Sequence, residues 1–457
     1  MTSRLALSPP GPIMAALASL SVVAALALAL QGRLPTSAVV LLAALPLYCF
    51  FAVARPAAIP LAFIALPPGV VGEVPGATTG IVALVAAGIV AIQVLPRPAL
   101  ARPPLGIVLF GALIVAAAVH ARDELTQAAA RAAHGALAEL VYYAVLLMLG
   151  VVLLRRGAIT AKAVAAAIVL SAVATAIIFL VQAGARPAAL APGELAVMNP
   201  GLLDHRTHFG YFAALGFGVA FSQMITARQS LRPFQYAAVV AATVTLALAV
   251  AISLTRGAWI VSSILLLLIP GLAGRRGWWL LVPAPMILLS AVSLARERAF
   301  GDFGGGLGIS IRSGVFGSGR AELWDTLIHR TLELPWGGGF GTIWSYSPFE
   351  LFGMNGVFVS GGNPFVYAHN DFLYLAIELG VVGVVLLAGF WMSMLRALLV
   401  LTRCRDARGV LLLGPCITML VAELVDNGLA MRGLSERFFL VAGLVLAAAA
   451  SPKEQAP

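Results

Sequence analysis

The chain has 457 residues, of which 61% are hydrophobic and 11% charged, and its mean hydropathy is +0.99. Because soluble proteins carry about a quarter charged residues, this composition excludes a soluble enzyme, a disordered protein and a secreted disulfide-rich domain. The formal net charge of +10 does not indicate nucleic-acid binding, since no arginine-rich stripe with interleaved stacking residues lies on a soluble segment. Lipid is therefore the expected solvent for most of the chain.

Apolar runs that are long enough to cross a bilayer recur along the chain. A spanning helix needs roughly 20 apolar residues, and the runs predict an all-α, polytopic membrane protein with about 12 to 14 transmembrane helices. The first run is read as a retained span rather than a cleaved signal peptide, because it is long for a signal peptide. The stretch 57–68 is either a short span or a re-entrant piece. The predicted spans are 12–30, 37–54, 79–95, 104–120, 136–154, 159–181, 206–228, 233–253, 257–273, 277–294, 371–395, 409–427 and 434–450.

Basic residues are distributed unequally between alternate loops. If the amino terminus is cytoplasmic and 57–68 crosses, 15 basic residues but only two acids fall on the inner side. Positive charge marks cytoplasmic loops, so both termini are predicted inside and the long loop 295–370 outside. This loop separates the helices of residues 1–294 from those of 371–457. If 57–68 does not cross, the amino terminus changes side and the later topology stands.

The long loop 295–370 is rich in glycine and aromatic residues, and the aromatics argue against disorder. It is either a cap that packs on the helix bundle or a lid that binds sugar or lipid, and we favour a partly helical lid. Helical spacing of apolar residues predicts a helix over 320–333, with Trp324 on it. The glycines of 337–341 make only a weak nucleotide motif, because no strand precedes them and no Lys-Ser/Thr follows.

Two residues at predicted outer helix ends carry the strongest chemical signal. Arg256 is the only charge of a short outer hairpin, and it is either a loop arginine that reaches the headgroups or a ligand for phosphate. We favour the phosphate ligand, because a planar guanidinium suits bidentate phosphate binding. His369 lies where the long loop meets a span, and an imidazole there can take a proton from a sugar hydroxyl. The alternative for His369 is a helix-capping region, in which Asn370 caps and the histidine faces headgroups.

Further candidates have weaker support from the residues alone. Arg320 begins the predicted loop helix, and a helix N-terminus with an arginine is a potential anion site. Arg206 and His208 lie at the outer mouth of span 206–228. A metal site that uses His208 and its neighbours lacks a third ligand, so no metal is expected. The remaining charges at outer helix ends are read as mutual pairs between helices: Glu378, Glu423, Asp426 and Arg432.

Several motifs occur in an order that resembles a known family. They are Leu-Thr-Arg-Gly-Ala-Trp at 254–259, Gly-Arg-Ala-Glu-Leu-Trp at 319–324 and Leu-Pro-Trp-Gly-Gly-Gly-Phe-Gly at 334–341. The most specific is His-Asn at 369–370 followed by leucines and Glu-Leu-Gly-Val-Val-Gly at 378–383. Together they resemble the bacterial O-antigen ligase and O-antigen polymerase family over about residues 206–395.

The resemblance implies a glycosyltransferase of the bacterial inner membrane, with its site facing the periplasm and a donor glycan on undecaprenyl diphosphate. It implies a general base at His369 and diphosphate binding by Arg256, Arg320 and, less distinctly, Arg206. Supporting positions are His208, Asn370, Tyr374 and Trp324. The family is regarded as metal-independent and inverting, so no cofactor is expected, and arginines can neutralise the leaving diphosphate.

These residues do not identify the acceptor substrate of the transfer. A ligase joins the glycan to a lipid A-core sugar, and this is the favoured interpretation. A polymerase, which joins the glycan to a second glycan chain, or a protein-glycosylating relative shares the same catalytic parts. A secondary transporter is the alternative from another class, but no internal repeat supports it.

Overall fold

The computed structural model describes residues 56–66, 86–90, 103–121, 127–185, 203, 206–228, 231–253, 255–274, 320–345, 368–403, 406–429 and 431–450. Within these ranges the chain forms helices and no named strand. The 3₁₀ helix is Thr342–Ser345. The α-helices are α1 Ala58–Ala65, α2 Leu105–Val119, α3 Gln127–Arg155, α4 Ala161–Ala185, α5 Arg206–Thr226, α6 Pro233–Ile252, α7 Arg256–Leu272, α8 Arg320–Glu333, α9 Asp371–Arg403, α10 Ala407–Val425 and α11 Arg432–Ala450.

In the described part of the chain, seven helices are long and apolar enough to cross a membrane, namely α3, α4, α5, α6, α9, α10 and α11. Two further apolar helices, α2 and α7, are shorter. The predicted all-α, polytopic membrane fold is therefore confirmed. The helix expected over 320–333 is also confirmed, as α8. The spans expected at 12–30, 37–54 and 277–294 lie outside the described residues.

The short stretch at 57–68 contains α1, which has eight residues. At roughly 1.5 Å per residue it is about 12 Å long, and a bilayer core is about 30 Å thick. Such a helix does not cross by itself, which favours the re-entrant alternative. Its end lies inside the bundle, where the Leu66 carbonyl accepts hydrogen bonds from the Ser171 hydroxyl at 2.6 Å and from Arg437 Nη2 at 2.7 Å.

Helix α5 lies at the centre of the described bundle and packs against α4, α6, α7 and α10. It crosses α10 closely, since a Cβ added to Gly218 would lie 2.9 Å from Gly414 Cα. One turn further, the Ser222 hydroxyl donates to the Val410 carbonyl at 3.0 Å. The residue number rises on α5 while it falls on α10, so the two helices are antiparallel. The amino-terminal end of α5 therefore lies beside the carboxyl-terminal end of α10.

Helices α3 and α11 also cross through glycines. A Cβ added to Gly443 would lie 2.1 Å from the Leu147 carbonyl, and one added to Gly150 would lie 2.4 Å from the Leu440 carbonyl. Small residues let helix backbones approach within a membrane, where packing rather than the hydrophobic effect drives association. A larger side chain at Gly150 or Gly443 would force these two helices apart.

Helix α9 is broken at Gly380, which has φ 63° and ψ −149°. We call residues 371–379 α9a and residues 381–403 α9b. The Asn370 amide donates to the Leu424 carbonyl at 2.8 Å, and the Trp391 indole donates to the Glu423 carboxylate. Both halves thus contact the last turn of α10, so α9a folds back toward the bundle instead of extending the axis of α9b.

Candidate active site

The site includes His369, and the backbone of this residue has a positive φ. With φ 50°, it is the one non-glycine residue with positive φ in the described ranges. Such a conformation is uncommon for a side chain larger than glycine and is found more often at functional sites. The next residue, Asn370, caps α9a, because its side-chain oxygen accepts from Leu373 N at 3.0 Å. The cap fixes the backbone directly after His369 and thereby fixes the point from which the His369 side chain extends.

The imidazole of His369 contacts an acid from another helix. Its Nδ1 lies 3.0 Å from Asp426 Oδ1, and the exposed fractions of the two side chains are 36% and 10%. With Nδ1 protonated, the ring donates to the buried carboxylate and leaves Nε2 as the basic nitrogen. The arrangement is a His–Asp pair in which a carboxylate from another helix holds one nitrogen of a partly exposed imidazole.

Two more acids are buried near this pair, and each is held by hydrogen bonds. Asp371 Oδ2 accepts from Leu429 N at 2.9 Å, which ties the start of α9a to the turn between α10 and α11. Glu423 accepts from the Trp391 indole on α9b. These bonds fix the last turn of α10 and the following turn, and therefore the position of Asp426.

Helix α8 and the residues after it, together called the α8 segment (320–345), lie along α9a. The Trp324 indole donates to the Ala368 carbonyl at 2.9 Å, directly before His369. At the other end, Val381 N donates to the Pro335 carbonyl at 2.9 Å. The two helices thus run side by side in one direction. Arg320 begins α8 one turn before Trp324, so its backbone lies near His369, and its side chain lies outside the described part.

The side chains between helix α8 and α9a are mainly apolar. Trp324 and Tyr374, both predicted as supporting residues, pack around one small buried cluster, and Tyr374 also meets the edge of the Phe340 ring at a centroid distance of 6.4 Å. Both residues therefore support the position of α8 relative to His369. The buried residues of this cluster are Leu327, Ile343, Ala368 and Ile377.

The glycine run 337–341 does not form a phosphate cradle. Gly338 N and Gly339 N donate to the carbonyls of Ile377 and Glu378 at 2.8 and 3.0 Å. The fully buried Glu378 carboxylate accepts from Gly341 N and, at 2.7 Å, from Ile343 N. Three of the five amides are thus used by α9a, and the other two donate to the carbonyls of Leu334 and His120. Gly337 and Gly380, with φ 82° and 63°, allow the two backbones to touch.

The other predicted site residues lie at the same end of the bundle. In the antiparallel register of α5 and α10, Gly218 faces Gly414 and Ser222 faces Val410, which brings the Arg206 backbone level with Asp426. His208, one turn into α5, is half-buried. The Arg206 side chain lies outside the described part.

Arg256 begins α7 at this end too. A Cβ added to Gly210 would lie 2.5 Å from the Thr255 Cβ, so the start of α7 touches the start of α5. The Arg256 side chain is exposed. Helices α5, α7, α8 and α9 therefore all begin at the end of the bundle that holds His369, and the positive ends of their dipoles make this end favourable for an anion.

The expectation that the remaining charges pair with one another stays a prediction, and the described contacts of the three acids involve other groups. Glu378 binds backbone amides, Glu423 binds an indole and Asp426 binds His369. The role of Asp426 was missed because its partner is 57 positions away in the chain. The available signal was an acid at the end of an apolar span, which is costly there unless it has a partner or a function.

One family of known proteins matches part of the chain. Residues 241–388 match the family described as O-antigen ligase. The matched range includes Arg256, Arg320 and His369. The match covers about a third of the chain and supports membership in the O-antigen ligase and polymerase family. No curated protein shows significant similarity to it. The seven candidate spans of the described residues indicate a multi-pass membrane protein, and its segment 241–388 is similar to a family named for glycan ligation.

Proposed function

We propose that this chain transfers a glycan from undecaprenyl diphosphate to a sugar hydroxyl of lipid A-core, at the periplasmic face of the inner membrane. The observation that carries the proposal is the His369–Asp426 pair at 3.0 Å, at the mouth of a helix bundle of this family. An oriented imidazole beside an open face is the group that a hydroxyl needs in order to become a nucleophile.

In this proposal His369 is the general base and Asp426 orients it. Asp426 accepts the Nδ1 proton, so the ring keeps the tautomer with Nε2 unprotonated. As Nε2 gains the acceptor proton, the nearby carboxylate stabilises the imidazolium. The positive φ of His369 and the Asn370 cap hold the ring in one direction, which lowers the entropic cost of the transition state.

Donor binding is assigned to the arginines at the same end. Arg256 and Arg320 begin α7 and α8, and Arg206 begins α5. Guanidinium groups bind phosphate oxygens bidentately, and the helix N-termini add to the positive potential. Charge on the leaving diphosphate is thereby neutralised by protein groups, which supports transfer without a metal.

The reaction proceeds by one displacement. His369 Nε2 takes the proton of the acceptor hydroxyl while the oxygen attacks the anomeric carbon from the side opposite the diphosphate. The new C–O bond forms as the bond to the diphosphate oxygen breaks, so the configuration at the anomeric carbon inverts. Undecaprenyl diphosphate leaves as an anion beside the arginines, and the imidazolium then releases its proton to water.

The proposal is tested with purified protein and an undecaprenyl-diphosphate glycan. We expect His369→Ala to lower the transfer rate by roughly 10²–10⁴-fold, the usual contribution of a positioned general base, while donor binding persists. The matched control is His329→Ala, because His329 is an exposed histidine of α8 that contacts Asp325. Full transfer by His369→Ala would remove the assigned role.

The acceptor is tested in the same assay. Lipid A-core and a second lipid-linked glycan unit are offered in parallel, and the product mass identifies the one that is extended. Product on lipid A-core supports the ligase. Product only on the second glycan would make the chain a polymerase with the same His369 chemistry.

A further inference from the structure

An apolar stripe lies on the outside of the α8 segment. Ile328, Leu332 and Trp336 are 46%, 75% and 69% exposed. Ile328 and Leu332 are four residues apart and share one side of α8, and Trp336 lies in the turn that follows the helix. A neighbouring side of α8 is buried, with Leu327 against α9a. Helix α8 is too short and too polar to span a membrane, so these side chains are not explained by a transmembrane position.

A polar stripe runs beside the apolar one. Asp325, His329 and Glu333 also follow a spacing of four, and their side chains are 61–74% exposed. Helix α8 thus has three sides: one on the protein, one apolar and open, and one charged. This distribution is typical of a helix that lies at a water–lipid boundary.

The apolar stripe continues onto a lipid-facing surface. A Cβ added to Gly380 would lie 2.3 Å from the Trp336 carbonyl carbon, so Trp336 adjoins the start of α9b. There Val381, Val382 and Val385 are 49%, 42% and 60% exposed, on a helix long and apolar enough to cross the membrane. The stripe of α8 and the outer face of α9b therefore form one apolar surface.

We propose that α8 lies in the interface of the bilayer, with Ile328, Leu332 and Trp336 among phospholipid acyl chains. Lipid is the occupant because the surface is continuous with the lipid-facing side of α9b, and because tryptophan favours the boundary between headgroups and chains. The charged stripe then faces water. This position fixes the start of α8 beside His369 at the membrane surface, where a lipid-linked substrate would arrive. The inference does not depend on the transfer reaction.

The experiment measures where each stripe lies. Nitroxide labels are placed one at a time through Ile328→Cys, Leu332→Cys, His329→Cys and Glu333→Cys, in a full-length background without Cys49, Cys404 and Cys416. The protein is held in nanodiscs of phosphatidylcholine and phosphatidylglycerol. Spectroscopic collision rates with oxygen, which concentrates in lipid, and with a water-soluble nickel chelate are compared. Val382→Cys is the reference for a lipid-facing site.

We expect labels at positions 328 and 332 to match position 382 in favouring oxygen, and labels at 329 and 333 to favour the nickel chelate. Equal access of nickel to both stripes would place α8 in water and overturn the proposal. Shielding of positions 328 and 332 from both reagents would also overturn it, since a second copy or a protein partner would then cover the stripe.

A second measurement keeps the native cysteines. The intrinsic fluorescence of the wild-type chain and of Trp336→Phe is compared in ordinary lipids and in lipids brominated on the acyl chains. Bromine quenches tryptophans that it contacts, so we expect the emission attributable to Trp336 to be quenched. An unquenched Trp336 contribution would contradict the interfacial position, whatever the transfer activity of the protein.

Discussion

Two charged clusters lie at the same end of the helix bundle and differ in how they are enclosed. The open cluster, His369 and Asp426, leaves 36% of the histidine side chain exposed. The sealed cluster consists of Tyr142, Glu436 and Arg437, and the arginine is 1% exposed. A charged or basic group inside a membrane protein is costly and has to be justified by partners or by function.

Hydrogen bonds and a ring contact explain why Arg437 is tolerated in the sealed cluster. Arg437 Nη2 donates to the Leu66 carbonyl at 2.7 Å and Nη1 donates to the Gly433 carbonyl at 3.1 Å. Its guanidinium carbon also lies 5.0 Å from the centre of the Phe212 ring. This arginine joins α11 to the end of α1 and lies beneath aromatic rings. At 1% exposure its side chain is closed to a substrate, so this charge serves architecture, whereas the more exposed His369 is the group proposed for chemistry.

The largest expected effect falls on the open cluster. Asp426→Asn keeps the shape of the side chain but lets the amide hold the wrong imidazole tautomer, so we expect the transfer rate to fall by roughly 10²–10⁴-fold. Single-turnover transfer with a labelled donor measures the change, and donor binding should persist. The control is Asp325→Asn on the exposed side of α8, and an unchanged rate in Asp426→Asn would show that His369 needs no acid.

A substitution in the sealed cluster should lower the free energy of unfolding. Arg437→Met leaves the Leu66 carbonyl and Glu436 without their cation, and breaking a buried charge pair costs about 3–5 kcal/mol. Thermal unfolding in detergent micelles measures the loss. The folded fraction should transfer at the wild-type rate, and Arg330→Met, which removes an exposed pair with Glu333, should change little. A selective loss of transfer with unchanged unfolding would mean that the two clusters are one site.

Glu378 connects the α8 segment to the open cluster. Both carboxylate oxygens accept from backbone amides, so Glu378→Gln turns an NH₂ group toward an N–H donor and costs about 1–3 kcal/mol. We expect faster hydrogen exchange at residues 338–343 and a roughly tenfold or larger fall in kcat/KM, since about 1.4 kcal/mol corresponds to tenfold. Unchanged exchange there would show that the segment is held by its apolar contacts alone.

The smallest expected effect is at the opposite end of the bundle. Asp406 caps α10 by accepting from Arg408 N, and its side chain also binds the Arg408 guanidinium. Burial raises the pKa of Asp406, but the bonds from Arg408 outweigh it and hold this pKa below its usual range. Asp406→Asn keeps a capping oxygen and loses the ion pair, so it should cost at most about 1 kcal/mol.

The sign of the pH dependence follows from the lowered pKa. The stabilisation by Asp406 is present above the unfolded value of about 3.9 and is lost as pH falls through the folded value. Unfolding of the wild type and of Asp406→Asn should therefore differ at neutral pH and converge in acid. Transfer should be unchanged at neutral pH, and a difference that grows in acid would contradict the assignment.

Much of the fold was predictable from the sequence. Hydropathy predicts the apolar helices because each needs about 20 apolar residues. The spans predicted at 159–181, 206–228 and 233–253 appear within four residues of their expected ends, whereas the span predicted at 136–154 begins nine residues earlier, at Gln127. The helix over 320–333 followed from apolar spacing. His369 and Asn370 stood out because a polar pair at the mouth of an apolar span is unusual.

Contacts between distant residues could not be read from one sequence. The break at Gly380 was not predicted, because glycines are tolerated in transmembrane helices and only the touching backbone of Gly337 requires this positive φ. No sequence feature near Asp426 indicates that it contacts His369, which is 57 positions away. The glycine run 337–341 had the residue types of a phosphate cradle, but its amides donate to other parts of the protein, mainly to α9a.

Composition and periodicity are properties of single segments, so the sequence alone determined a membrane-embedded, all-helical chain and singled out the helix end that carries His369. The tertiary structure decided which acid orients His369, which arginine is sealed, and where the stripe of α8 points. Those outcomes depend on the packing of helices far apart in the chain, and packing distances and hydrogen-bond geometry arise only when the helices meet.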